Sequence, residues 1–207
     1  GPDGVVGLTN QAAERLFATR GIDNVSLRQV ASEAGQKNHS AVLYHFGYKR
    51  SLIDALLERH SGPMQIAWLT MLDHVDAEGR DTLDELVGMF VRPLVQKLDD
   101  HDGGVEYLLI VAQLVHSATF PIIDFPAVNA AGIVALIDRL SRHAGPMPPS
   151  IFPLRMMRVA TVLYGSIALY HRTVSSGARI DRDEFVSDLI ASLTALIAHS
   201  APSNVGR

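Results

Sequence analysis

Cysteine is absent from all 207 residues. Its absence excludes a disulfide framework, a thiolate metal site and cysteine catalysis, and it suits a reducing cytoplasm. The chain has no G-x-S-x-G, no H-E-x-x-H and no phosphate-binding glycine loop, and its histidines are scattered. No cofactor, no metal site and no enzyme activity is therefore expected. The run Asp99-Asp100-His101-Asp102 could at most hold a cation weakly, and a solvated loop is the simpler reading. Long apolar runs are missing too. The longest covers residues 107–115, interrupted by Gln113, and falls far short of the ~20 residues that span a bilayer. No basic stretch followed by an apolar run opens the chain. Neither a signal peptide nor a membrane partner is expected, and the expected location is the cytoplasm.

What is present is a globular composition, with 47% apolar and 19% charged residues. The net charge of -4 is unevenly spread. Residues 1–60 carry seven Lys/Arg against six Asp/Glu, whereas the remainder carries eleven against sixteen. The N-terminal part is thus barely basic. If it binds DNA, it does so through cations placed at phosphate positions rather than through bulk charge.

The periodicity is helical throughout. Val5, Leu8, Ala12, Ala13, Leu16 and Phe17 form one face of a first helix, which Gly21 ends. Ser26 and Gln29 have capping-box spacing at the start of a second helix, with Leu27, Val30, Ala31 and Ala34 facing inward and Gly35 ending it. A third helix is expected over residues 39–46. A fourth opens near Lys49 with Leu52, Ile53, Leu56 and Leu57 apolar, and Ser61-Gly62-Pro63 is expected to interrupt or kink it. Further helices are expected over residues 82–98, 105–118, 127–143 and 151–175. A final helix follows the Asp181-x-x-Glu184 cap. The expected fold is all-α with about nine helices.

The stretch from Ser26 to Lys49 has the form of a helix-turn-helix: a capped helix, a glycine turn, then a helix rich in polar and aromatic groups. Arg28 and Lys49 are charge-assisted donors. Lys37, Asn38, His39, Ser40, Tyr44 and His45 can bond phosphates or base edges. His45 is equally readable as a hydrogen-bonded core residue. Phe46, Leu16 and Phe17 read as core, and Tyr48 as a shield over the turn.

These positions carry a resemblance to the TetR family of bacterial transcription repressors. The matching residues are Leu16-Phe17 before Gly21, then Val25-Ser26-Leu27-Arg28, Val30-Ala31, Ala34-Gly35, and His45-Phe46-Gly47 with Lys49. The resemblance covers the first ~60 residues. It implies a three-helix helix-turn-helix DNA-binding domain, residues 1–48, followed by a helical ligand-binding and dimerisation domain, residues 49–207. It implies that Ser26 and Arg28 meet the backbone or groove edge. The helix over residues 37–46 would enter the major groove, and Lys49, with the amides opening the fourth helix, would hold a phosphate. One departure is that the family's tyrosine three residues before Phe46 is replaced by Leu43, with Tyr44 beside it. The turn after Gly35 is one residue longer. Leu43 then either meets a thymine methyl or packs in the core.

The resemblance also implies a small-molecule pocket in the body. Trp68, Met71, Met89, Phe90, Tyr107, Gln113, His116, Phe120 and Tyr164 are its candidate lining. Gln113 and His116 are polar on a nearly apolar helix, so each needs a partner: a backbone carbonyl, water, or a ligand. The helix over residues 151–175 is apolar on two sides. One side suits its own core. The other, with Val159, Val162 and Leu169, suits a second subunit when paired with Leu189, Leu193 and Leu196 of the last helix. The expected protein is a DNA-binding transcriptional regulator and repressor, a homodimer on a palindromic operator, controlled by a small apolar effector. The alternative is a helical interaction protein with the same shape and no sequence-specific DNA binding.

Overall fold

Capping residues and glycines set the helix ends in the computed structural model, which describes residues 2–35, 48–79 and 81–200. The first helix, α1 (Pro2–Arg20), ends at Gly21, whose φ of +90° closes it. The second, α2 (Leu27–Glu33), starts at the expected capping box. Ser26 Oγ accepts the Gln29 amide at 3.3 Å, and Gln29 Oε1 accepts the Ser26 amide at 2.8 Å. The remaining helices are α3 (Lys49–Glu78), α4 (Leu83–Gln96), α5 (Gly104–Leu114), α6 (Ala131–His143), α7 (Phe152–Ser175) and α8 (Arg182–Ala198). Asp181 caps α8 by accepting the Glu184 amide at 2.9 Å. All eight are α-helices, and no strand occurs among the described residues. The helix expected over residues 39–46 lies outside them.

Two expectations are corrected. The helix that opens at Lys49 is not interrupted at Gly62-Pro63; α3 runs through Pro63 as one helix of 30 residues. An internal proline removes only one N–H from the helical ladder, and flanking turns can carry the helix across that gap. Leu8, expected on the core face of α1, is 54% exposed, whereas Ala12, Ala13, Leu16 and Phe17 are buried.

The described residues form two compact units. The first contains those up to Pro63 together with Lys97–Asn129, and the second contains Met64–Gln96 with those from Ala130 on. The division does not fall between residues 48 and 49, and α3 contributes to both units. In the first unit α1 packs on α2 and α5. Its core includes Phe17, Val30, Leu52, Ile53, Leu56, Leu108 and Leu114. In the second, α4 packs on α6 and α8, and α7 packs on α8. Its core is built from Leu86, Leu94, Leu136, Val159, Leu163, Ile167, Leu189 and Leu193.

The α7–α8 pair is fastened at one end by Arg155, which is only 3% exposed. Its guanidinium donates to the Ile197 carbonyl at 3.0 Å and to the His199 carbonyl. These are last-turn acceptors with no helical donor of their own, at the negative end of the α8 dipole. Arg155→Met removes the buried donor from both carbonyls and leaves that of Ile197 with the Gly145 amide alone. Stability should fall by about 1–3 kcal/mol, read as a lower melting temperature or denaturant midpoint.

Candidate nucleic-acid interface

Ser26, Arg28 and Lys49 are the described members of the expected DNA-contacting set. Lys37, Asn38, His39, Ser40, Tyr44 and His45, like Leu43 and Phe46, lie outside the described residues. Ser26 is exposed, and its hydroxyl also donates to Gln29 Oε1 at 2.9 Å. Arg28, two residues into the capped helix, projects an exposed side chain. Tyr48 is 80% exposed, and its carbonyl accepts the Ser51 amide at the start of α3; the turn it is expected to shield lies outside the described residues.

Lys49, the first residue of α3, is half-buried in an aromatic slot. Its Nζ lies 5.9 Å from the Phe17 ring centroid and 5.5 Å from that of Phe120, within cation–π range of both. Burial lowers its pKa from the ordinary lysine value, with the Asp23 carboxylate opposing the shift. The next residue, Arg50, lies over the Phe125 ring at 4.9 Å and donates to the Asp124 carbonyl at 2.5 Å. The N-terminus of α3 is thus docked on the segment that follows α5.

A second tie reaches the turn between α1 and α2. Gln113 on α5 donates through Nε2 to the Phe17 carbonyl at 2.9 Å and accepts the Ile22 amide through Oε1 at 2.8 Å. One side-chain amide therefore satisfies a carbonyl and an N–H on either side of Gly21. Of the partners weighed for Gln113, the backbone is the one observed. Sequence reading had no signal for this, because the partners lie more than 90 positions away.

A third tie is ionic. Glu14 on α1 is 2% exposed and faces Arg59 and His60 on α3. Arg59 Nη1 donates to its Oε1 at 2.8 Å, and His60 Nε2 lies 2.9 Å from the same oxygen. On its other side the His60 ring faces the Lys97 ammonium through Nδ1 at 3.5 Å and stacks on Tyr107 at 4.9 Å. Arg59 also pairs with Asp102, and Lys97 with Asp100. These hydrogen bonds hold both carboxyls below the ordinary aspartate value. The run 99–102 is therefore an ion-paired turn, and no metal-holding cluster occurs among the described residues.

The candidate pocket residues are divided between the two units. Tyr107, Gln113 and Phe120 belong to the first unit and have the contacts just given, and His116 is exposed. In the second unit Trp68, Met89 and Phe90 meet. The Trp68 indole donates to the Met89 carbonyl at 2.9 Å, and its ring lies 5.5 Å from that of Phe90. Met71 is half-buried and Tyr164 buried. Among the candidate dimer residues, Val159, Leu189 and Leu193 are buried within their own unit and Leu196 is half-buried. Val162 and Leu169 are 38% and 53% exposed, alongside Leu154 at 56%. Val159 and Val162 are three residues apart, about 60° around the helix, and the edge of the buried stripe falls between them.

Residues 11–56 match the family model of bacterial regulatory proteins, tetR family. That segment is a tetR-family N-terminal domain. No curated protein sequence matches it. Three solved structures of similar fold are described as TetR-family regulators. One from Marinobacter aquaeolei VT8 is 19% identical with a TM-score of 0.61, covering 95% of this chain and 96% of that one. Another, from a Rhodococcus species, is 17% identical with a TM-score of 0.52, covering 95% and 100%. The third, from Mesorhizobium loti MAFF303099, is 16% identical with a TM-score of 0.50, covering 94% and 96%. At these identities the likeness is one of fold. The tetR domain and the shared fold support a DNA-binding transcription regulator.

The matched tetR segment contains Ser26, Arg28 and Lys49 but neither Gln113 nor Phe120. The α1–α2 turn and the start of α3 are thus fastened by residues from well beyond the matched segment. Gln113→Leu leaves the Ile22 amide and the Phe17 carbonyl without their side-chain partner. It should cost about 1–3 kcal/mol of local stability, and hydrogen exchange at the Ile22 amide should accelerate.

Proposed function

We propose that this tetR-family chain is a transcriptional repressor that binds a palindromic operator as a homodimer and responds to a small, largely apolar effector. The observation that carries the reading is the tetR domain itself, with α2 capped at Ser26, Arg28 exposed beside the cap, and Lys49 at the N-terminus of α3. Cations at helix starts are what phosphate contact needs in a protein whose net charge is -4. Residues 1–48 form the reading head and residues 49–207 the regulatory part, although the segment after α5 packs with the head. Residues 37–45 supply the base-reading groups.

An outward face on the α7–α8 pair supports the dimer. Leu154, Val162, Gly165 and Leu169 point outward on α7, and the small residues Ala191 and Ala195 do so on α8. Apolar and small side chains let a second pair approach closely, which is how four-helix interfaces form. For the effector, support comes from Trp68, Met89 and Phe90: they are buried together and the indole N–H already has its acceptor, so an effector among them would meet apolar walls. An effector there would act through α3, the helix shared by both units, by favouring one of two poses of the heads. Among the described residues no helix is long and apolar enough to cross a membrane.

The test is fluorescence anisotropy with a duplex from the region upstream of the chain's own gene, against a scrambled duplex, across a salt series. A repressor binds the first more tightly, and its affinity falls steeply with salt; an interaction protein with this shape shows neither. Arg28→Ala should weaken binding to all sequences and lower the salt slope by about 1. Leu169→Glu should shift the sedimentation coefficient from dimer to monomer. A wild-type protein that sediments as a monomer at micromolar concentration rules out the dimer.

A further inference from the structure

We propose that Phe120 is a positioning residue for DNA binding: with Phe17 it forms an aromatic slot that presents the Lys49 ammonium at the N-terminus of α3. The inference rests on the reading of Lys49 as a phosphate contact. What it adds is a residue outside the tetR-matched segment, on the chain that follows α5, as a determinant of that contact.

The geometry has three parts. First, the Lys49 ammonium lies over two ring faces, at 5.9 Å from the Phe17 centroid and 5.5 Å from that of Phe120. Phe17 is fully buried in the first unit, so its ring is a fixed wall. Phe120 is half-buried and supplies the second ring face within cation–π range of the ammonium. Second, Phe120 is itself held on both sides. Its amide donates to Ser117 Oγ at 2.9 Å, and beyond it Asp124 and Phe125 are gripped by Arg50, the residue next to Lys49. The segment and the start of α3 therefore place one another. Third, the lysine remains half-exposed, so the slot leaves ammonium N–H groups open to an incoming oxygen.

Ring faces suit this task better than carboxylates. A lysine is a flexible chain with a strongly hydrated head, and fixing it ordinarily uses up its charge in an ion pair. Aromatic faces attract the cation without neutralising it, and they offer no oxygen to compete with phosphate. Burial lowers the pKa of Lys49, which accords with a head already partly stripped of water. A phosphate restores the lost stabilisation, so the slot favours the bound state over free solvation of the side chain.

The experiment is a double-mutant cycle on the full chain. It uses a mixed-sequence duplex as probe, because a phosphate contact is independent of sequence, and reads affinity and salt slope. Phe120→Leu should weaken binding about two- to fivefold per protomer and lower the salt slope toward that of Lys49→Met. In the Lys49→Met background, Phe120→Leu should have no further effect. Phe120→Tyr, which keeps the ring, should restore most of the affinity. Melting curves establish that each variant is folded at the assay temperature, and Phe120→Met takes the place of the leucine variant if that one is not. The proposal is overturned if Phe120→Leu weakens binding by the same factor with and without Lys49, if it has no effect, or if the tyrosine variant binds as weakly as the leucine one. A wild-type protein with no salt-dependent affinity for any duplex overturns the DNA-binding reading and this inference together. Additivity in a protein that does bind overturns the inference alone.

Discussion

A carboxylate withdrawn from water must be met by donors, and Glu14 is withdrawn almost completely. Its donors come from two consecutive residues of α3, Arg59 and His60, and the backbone of Gly103 closes over it from a third segment. Gly103 sits at φ +86°, and a Cβ there would lie 2.5 Å from Glu14 Oε2, so the approach depends on the missing side chain. Because the buried charge is costly unless all three segments converge, α1, α3 and the turn before α5 are fixed as a set. Once α5 is in place, Gln113 reaches the α1–α2 turn and Phe120 reaches Lys49. The contacts of the reading head therefore follow from one acidic residue that touches neither DNA nor effector in any reading given above.

The second unit applies the same rule with the sign reversed. Arg155 is buried and answered by carbonyls at the end of α8. Arg139 on α6 is answered by Asp76 and Asp81, and His143 adds a further bond to Asp81. The carboxylates push the Arg139 pKa well above the ordinary arginine value. Most of this pairing is partly solvated, so it orients α6 more than it stabilises it. The apolar faces of α4, α7 and α8 supply the greater part of the cohesion.

The features legible in the sequence were those whose partners are close along the chain. The capping box at Ser26, the cap at Asp181, the stop at Gly21 and the burial of Leu52, Ile53, Leu56 and Leu57 all follow from spacing over a few residues. Gln113 was recognisable as a polar residue needing a partner. Its true partners lie 91 and 96 positions away, and no local pattern points to them. Phe120 read as pocket lining because an aromatic beside prolines has no directional signal. Pro63 read as a break because sequence alone does not say whether neighbouring turns will carry a helix across a missing N–H. The exposed edge of α7 was legible as a second apolar side, but its limit, between Val159 and Val162, depends on where α8 packs.

Ser26 shows what such local economy implies. A hydroxyl has a single proton to give, and here it is given to Gln29 Oε1, while the oxygen receives the Gln29 amide. A phosphate can only accept. Contact between the Ser26 hydroxyl and a DNA strand would thus require the proton to swing away from Gln29, loosening one half of the clasp that starts α2. The order of the first turn of α2 and the grip on the strand draw on the same hydrogen atom. Tight binding at that point would be accompanied by a slackened helix start.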